Sequence, residues 1–233
     1  FLMALDSIFT VNPYAYDKLP YDPAHGFEPV SLMTTQAQWY AARPGLNVRS
    51  MQELLAEVKK RPGQLNYGYG SPPGQLSAEL LKSLTGAQMN MIAYKGAAAA
   101  VLAALRGEVD VIGADLAPMV QHVKAGKLVA LGQTGVERSP LFPDVQTMQE
   151  QGLKGFEALA WFGAFAPAGT PKDIIAKMNS ELVAVLGDQQ VQAQILKLGY
   201  QAASSSPEAL GARVKADAEK WGHLIRTANI KLS

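Results

Sequence analysis

Residues 50–68 read SMQELLAEVKKRPGQLNYG, which is a complete helix–strand step. Ser50 and Glu53 have the spacing of a capping box, so a helix is predicted to begin here and to run to about Lys60. A Pro-Gly pair ends that helix, and residues 65–68 follow with the apolar and aromatic character of a short strand. A helix joined to a strand by a tight turn is the building unit of α/β proteins.

The same step repeats along the chain without an intervening linker. Helical patterns closed by glycine alternate with short apolar runs, which is typical of parallel strands joined by crossover helices. Helices are predicted at residues 75–84, 97–105 and 120–125, and strands at residues 89–93, 109–113 and 128–132. After residues 157–165 the chain becomes largely helical. The predicted fold class is therefore α/β.

Composition excludes several classes of partner. Lys and Arg total 21 and Asp and Glu total 20, so there is no basic field for nucleic acid or for an anionic membrane surface. The apolar runs are shorter than the roughly 18 to 20 residues that a membrane span needs. The absence of cysteine excludes disulfides and thiolate metal sites, and it leaves the cellular compartment open.

Patterns of enzymes and metal sites are weak in this chain. His25, His122 and His223 are isolated in sequence and lack metal-ligand spacing. No Gly-x-Ser-x-Gly elbow occurs. Gly68-Tyr69-Gly70 has only part of a dinucleotide fingerprint, because Pro72-Pro73 interrupts it. We predict no cofactor, no metal and no catalytic set.

Two loops between a predicted strand and a predicted helix are suited to an anion. Gly70-Ser71-Pro72-Pro73-Gly74 offers backbone amides and the Ser71 hydroxyl at a positive helix terminus, although an ordinary capped turn has the same composition. Tyr94-Lys95-Gly96-Ala97-Ala98 repeats the arrangement with small residues that leave the helix amides uncovered. Lys95 by itself is more typical of a solvated surface charge than of a ligand contact.

Asp115 and the pair Trp161-Phe162 admit two interpretations each. Asp115 follows a predicted strand, where it accepts a hydrogen bond from a ligand hydroxyl or amine, or else caps the helix that contains Pro118. Trp161-Phe162 shields a ligand, or packs a core or a hinge.

Further motifs, spread over nearly the whole chain and in a constant order, resemble the Bug receptors, the TctC-type substrate-binding proteins of tripartite tricarboxylate transporters. The resembling stretches are Asn12-Pro13, Lys18-Leu19-Pro20-Tyr21-Asp22-Pro23, Phe27-Glu28-Pro29-Val30-Ser31-Leu32, Tyr94-Lys95-Gly96, Lys124-Ala125-Gly126-Lys127-Leu128, Arg138-Ser139-Pro140, Pro143-Asp144-Val145, Trp161-Phe162-Gly163, Ala166-Pro167-Ala168-Gly169-Thr170-Pro171 and Lys220-Trp221.

This resemblance implies a periplasmic, two-lobed Venus-flytrap protein of the type II-like kind that captures a small organic acid and delivers it to membrane subunits. Lobe 1 would comprise residues 1–40 plus 160–233, and lobe 2 residues 41–159. Together with the loops above, it gives the predicted ligand contacts, which are Ser7, Gly70, Ser71, Gly74, Gln75, Lys95, Gly96, Ala97, Ala98, Asp115, Trp161 and Phe162.

Two departures from the family pattern bear on function. The loop at Pro72-Pro73-Gly74 is short and is followed by Gln75, where the family has a longer glycine-rich loop and a histidine, so a dicarboxylate, a tricarboxylate, an amino acid and an aromatic acid all stay open as ligands. The family's first strand, ligand loop and helix are expected upstream of Phe1. Besides a receptor, a transferase-like enzyme using Asp115 or Lys95 and a remnant that binds nothing remain alternatives.

Overall fold

The computed structural model describes residues 1–230, in which strands and helices follow the predicted alternation. The strands are β1 (Leu2–Leu5), β2 (Phe27–Ala42), β3 (Asn66–Tyr69), β4 (Asn90–Ala93), β5 (Val111–Asp115), β6 (Val129–Gln133), β7 (Leu159–Pro167) and β8 (Gln201–Ala202). The helices are α1 (Ser7–Thr10), α2 (Asn12–Ala15), α3 (Met51–Lys60), α4 (Pro72–Thr85), α5 (Ala97–Arg106), α6 (Val120–Lys124), α7 (Lys172–Gly187), α8 (Gln189–Lys197) and α9 (Pro207–Thr227). The predicted α/β fold class is confirmed.

Helix starts follow the local signals, with one difference. Ser50 caps α3 by accepting from the Glu53 amide at 3.1 Å, as the capping box predicts. Helix α4 begins at Pro72, three residues before the predicted start. Ser71 is its N-cap and prolines occupy its first two positions, where proline removes no helical hydrogen bond. The proline pair therefore lies inside the helix and not in a loop.

The chain divides into two compact units. Unit 1 consists of Phe1–Gln36 with Ala160–Ser233, and unit 2 of Ala37–Leu159. Residues 231–233, the end of the predicted lobe 1, lie outside the described part of the chain. The divisions fall within β2 and within β7, so both strands contribute residues to each unit.

The sheet of unit 2 runs in the order β6, β2, β5, β3, β4. Strand β3 is parallel to β4 and to β5, whereas β2 is antiparallel to β5 and β6. Helix α5 packs on this sheet through Ala100, Val101 and Ala104, which share a buried cluster with Ile112 and Trp39. The apolar face of α5 thus fixes the helix, and with it the position of its first turn, against β5.

In unit 1, β1 pairs antiparallel with β7, and β2 pairs antiparallel with β8. A buried cluster joins β1, α1 and β7 to helix α9 through Ala4, Phe9, Phe165 and Leu210. The ring centroids of Phe9 and Phe165 are 4.3 Å apart. Within residues 1–230, no helix combines the length and apolarity that crossing a membrane requires.

Candidate functional site

The carboxyl ends of three parallel strands meet at one edge of the unit 2 sheet. Tyr69, near the end of β3, lies opposite Ala93 of β4 and Gly113 of β5. The segments that follow β3 and β4 carry Gly70 and Ser71, and Lys95 to Ala98. Asp115, predicted to follow its strand, is instead the last residue of β5. Ligands of open α/β sheets bind outside the carboxyl ends of the strands, so the structure brings these predicted residues to the edge where a ligand is expected.

The first two loops are in direct contact at Gly70. A Cβ atom on this residue would overlap the backbone of Gly96 and Ala97, so only glycine fits. The close approach holds the segment after β3 against the first turn of α5. Ser71 is therefore only one residue away from the contact with the start of α5.

The start of α5 is open to an anion. Gly96 is the N-cap with φ 95°, and no side chain of residues 1–230 caps the helix. Among the described residues, the amides of Ala97 and Ala98 have no hydrogen-bond acceptor, and Ala98 is exposed. First-turn amides and the positive end of the helix dipole together favour a carboxylate or phosphate.

The start of α4 offers fewer donors than the sequence predicts. Pro72 and Pro73 carry no N–H, and the Gly74 amide donates to the Ser71 hydroxyl at 3.4 Å. The remaining donors toward a ligand are the amide and hydroxyl of Ser71 itself. The Gly74 amide is thus engaged within the loop, and contact of Gly70 and Ser71 with a ligand stays a prediction.

Two buried tyrosines, Tyr40 and Tyr67, hold the start of α4 against the sheet. The Tyr67 hydroxyl donates to the Gly74 carbonyl at 2.9 Å, and the Tyr40 hydroxyl lies 3.0 Å from Ser77 Oγ. Both rings are fully buried, and burial raises the pKa of each phenol above its ordinary value. Both hydroxyls therefore stay protonated and anchor the first turns of α4. The alternation of Tyr and Gly over residues 67–70, which places both tyrosines on one face of β3, is the sequence signal for this contact.

Asp115 is joined to a residue that sequence reasoning missed. Gln38 lies directly opposite it on β2, and Gln38 Nε2 donates to Asp115 Oδ1 at 2.7 Å. Burial raises the pKa of Asp115, while the bond from Gln38 opposes that rise. The alternative that Asp115 caps a helix containing Pro118 is wrong, because α6 begins only at Val120, with Met119 as its N-cap.

The remaining predicted residues of unit 2 differ in exposure. Lys95 and Gly96 are exposed, and Gln75 is half-buried on the first turn of α4. Lys95 follows β4 immediately before the open start of α5, so its ammonium adds positive charge to the same loop. No group of three or more His, Cys, Asp or Glu within residues 1–230 is arranged to hold a metal ion.

The three predicted residues of unit 1 have separate environments. Trp161 has no exposed surface, and its indole Nε1 donates to Asp217 Oδ2 at 2.8 Å. Phe162, next to it, is half-buried, with its ring 6.0 Å from that of Tyr200. Ser7 is the first residue of α1 and is half-buried. Their contact with a ligand stays a prediction.

Next to Ser7, Asp6 is a buried carboxyl that the sequence pattern did not indicate. Its Oδ1 has no hydrogen-bond partner in the part of the chain that the structure describes. Burial, with a smaller contribution from the charge of Asp217, raises the pKa of Asp6 to about 7.

Solved structures with the same fold are periplasmic binding proteins. A protein of R. palustris solved with adipate superposes with a TM-score of 0.83 at 28% identity, covering 98% of this chain and 77% of its own. The periplasmic binding protein BugD gives 0.79 at 30% identity, with 98% and 78% covered. MatC from Rhodopseudomonas palustris, with bound malate, gives 0.75 at 28% identity, with 96% and 78% covered. The chain has the fold of this class.

Within that class, the chain belongs to the tripartite tricarboxylate transporter family receptors, whose family model matches residues 1–230. Protein BugT of Bordetella pertussis is 30% identical over 216 residues, which is 92% of this chain and 66% of BugT. A UPF0065 protein of Pseudomonas sp. strain P51 is 31% identical over 219 residues, 92% of this chain and 65% of its own. The chain therefore spans just under two thirds of the length of these relatives.

Proposed function

We propose that this chain is an extracytoplasmic receptor that captures a small carboxylate for a tripartite tricarboxylate-type transporter. Membership of the receptor family supports this, as do the adipate and malate held by two proteins of the same fold. We further propose a periplasmic location and membrane subunits as partners.

The observation that carries the proposal is the uncapped first turn of α5. A ligand carboxylate would accept from the amides of Ala97 and Ala98, with the Ser71 hydroxyl held alongside by the contact at Gly70. Lys95 would add a cation at the rim. Hydrogen bonds to a charged acceptor are worth about 1.5–3 kcal/mol each, so two or three of them support capture of a small acid.

Binding rather than chemistry is the proposed role of this edge. The groups directed at the ligand are backbone amides and a helix terminus, which hold an anion without exchanging a proton. The enzyme alternative gives Asp115 or Lys95 a proton-transfer role, so it predicts turnover that Asp115→Asn abolishes. Ser7, Gln75 and Phe162 are retained as proposed ligand contacts, whereas full burial favours a core role for Trp161.

Isothermal titration calorimetry with succinate, malate and adipate tests the proposal, and Ala98→Pro is the informative variant. Proline at the second position of a helix keeps the backbone shape, as Pro72-Pro73 do in α4, but deletes the Ala98 N–H. We expect the acid that binds the wild type to bind this variant about 10- to 100-fold more weakly.

Ala98→Gly is the matched control, because it alters the same residue and keeps the amide. Its affinity should stay near that of the wild type. If no acid binds, or if Ala98→Pro binds as well as Ala98→Gly, the carboxylate site at α5 is wrong.

A further inference from the structure

Gln38 carries a buried acceptor that the carboxylate site does not use. Its side chain has no exposed surface, and Gln38 Oε1 has no hydrogen-bond partner among residues 1–230. The other end of the same amide is committed, since Nε2 donates to Asp115 Oδ1 at 2.7 Å. Leaving a buried carbonyl oxygen unpaired is costly, and native structures rarely do so without a reason.

Asp115 places a second acceptor beside the first. Only one of its carboxylate oxygens receives the Gln38 bond, and the side chain is half-buried. No cation pairs with Asp115 among the described residues, and its side chain accepts its hydrogen bond from the neutral amide of Gln38. A carboxylate and an amide oxygen, adjacent and unneutralised, favour a group that brings hydrogen-bond donors and positive charge.

Gln38 and Asp115 lie at the same edge of the sheet as residues 95–98, the loop proposed to bind the carboxylate. Gly113 of β5 and Tyr69 of β3 are directly opposite each other. Asp115 lies two residues after Gly113, and Gly70 lies one residue after Tyr69. Gly70 in turn touches the backbone of Gly96 and Ala97. The acceptor pair and the donor loop therefore belong to the same sheet edge of unit 2.

We propose that Gln38 and Asp115 form an ammonium subsite, so that the preferred ligand is an amino acid whose carboxylate lies at the start of α5. This inference rests on the proposed function and specifies its ligand class. A hydroxyl has one hydrogen and satisfies one of the two acceptors. An ammonium has three, so it satisfies both and neutralises Asp115 as well.

The test compares acids that differ only in the substituent beside the carboxylate. Calorimetry is carried out with three matched triplets: propionate, lactate and alanine; succinate, malate and aspartate; and glutarate, 2-hydroxyglutarate and glutamate. In the triplet that binds best, the amino member should bind at least about 10-fold more tightly than the unsubstituted acid, with the hydroxy member between them.

Two variants assign the preference to the pair. Gln38→Met removes the acceptor at nearly constant volume, and Asp115→Asn removes the charge. Each should reduce the amino preference, which is the ratio of the affinities for the amino and the unsubstituted member, to about threefold or less. Asn90→Ala is the control, because this exposed amide lies at the opposite end of β4, and it should keep the wild-type preference. Circular dichroism verifies that each variant is folded. If only one of Gln38→Met and Asp115→Asn folds, that variant alone decides whether the pair causes the amino preference.

The outcomes distinguish failure of the ammonium subsite from failure of the receptor proposal. Binding of unsubstituted acids with no amino preference, or a preference that survives in the folded variants, overturns the ammonium subsite and leaves the receptor proposal standing. If neither an acid of the panel nor adipate binds, both the ammonium subsite and the receptor proposal are overturned.

Discussion

Trp161 Nε1 donates a hydrogen bond to Asp217 Oδ2 at 2.8 Å, and both side chains are buried. Asp217 also pairs with Lys220 at 3.2 Å and with Arg213 at 3.4 Å, both on α9. The neutral indole N–H is thus a third partner of this carboxylate. The bond fastens α9 to β7 inside unit 1. This gives Trp161 a structural role that is independent of any ligand.

Trp161→Phe is therefore expected to lower the free energy of unfolding by about 1–3 kcal/mol, because a buried carboxylate loses a donor and a cavity opens. Urea unfolding followed by circular dichroism measures the loss. Phe162→Leu, at the half-buried neighbour, should cost much less. An unchanged free energy of unfolding together with weaker acid binding would assign Trp161 to the ligand instead.

The helix–strand alternation of unit 2 was predictable because its signals are local. Ser50 and Glu53 specify the start of α3, and glycines in the left-handed region end α4 and α5. The error at the start of α4 has an equally local origin. Pro72-Pro73 resembles a loop unless Ser71 is recognised as the cap.

The contacts of the site depend on residues far apart in sequence, and this limited the prediction. Gln38 meets Asp115 only because β2 lies antiparallel beside β5. The burial of Asp6, whose Oδ1 has no hydrogen-bond partner in the described part of the chain, is likewise a tertiary effect. The sequence shows glycines at residues 70 and 96 in two loops suited to an anion, but it does not show that these two loops touch each other.

Asp6 predicts a pH dependence of stability. Its pKa is raised from 3.8 to about 7 in the folded chain, so between these values the folded state holds a proton that the unfolded state has released. The free energy of unfolding should therefore fall as the pH rises from about 4 to about 7, by up to about 4 kcal/mol from this group, and level off above pH 7. Guanidinium unfolding at pH 4.5, 6 and 8 measures this slope.

Asp6→Asn isolates that contribution, since the amide cannot ionise. The variant should gain stability relative to the wild type as the pH rises, with the largest gain at pH 8. Asp22→Asn is the control without a slope. The amides of Ala24 and His25 lower the pKa of this exposed carboxyl from 3.8, so its titration lies below the three pH values and its difference from the wild type should stay nearly constant. A constant difference between wild type and Asp6→Asn across the three pH values would rule out the raised pKa.

Gly70→Ala tests whether contact between the two loops positions the donors. The added methyl would overlap the backbone of Gly96 and Ala97, so the loops must separate. We expect acid affinity to fall by at least about 10-fold, with a destabilisation of roughly 1–3 kcal/mol from overpacking. Gly187→Ala is the control, because a methyl there meets open space at the end of α7 and should be neutral or slightly stabilising. Unchanged affinity in Gly70→Ala would mean that the two loops act independently.

Tyr67→Phe tests the support beneath the site. The change removes one oxygen, leaves the Gly74 carbonyl without the 2.9 Å bond that it accepts, and keeps the ring against Tyr40. Loss of a buried hydrogen bond should cost about 1–2 kcal/mol in thermal or urea unfolding. Because Gly74 lies three residues after Ser71 and donates to its hydroxyl, a looser first turn of α4 should also weaken acid binding by a few-fold. Tyr16→Phe, at an exposed ring, should change neither quantity. Weaker binding with unchanged stability would instead indicate that the Tyr67 hydroxyl contacts the ligand directly.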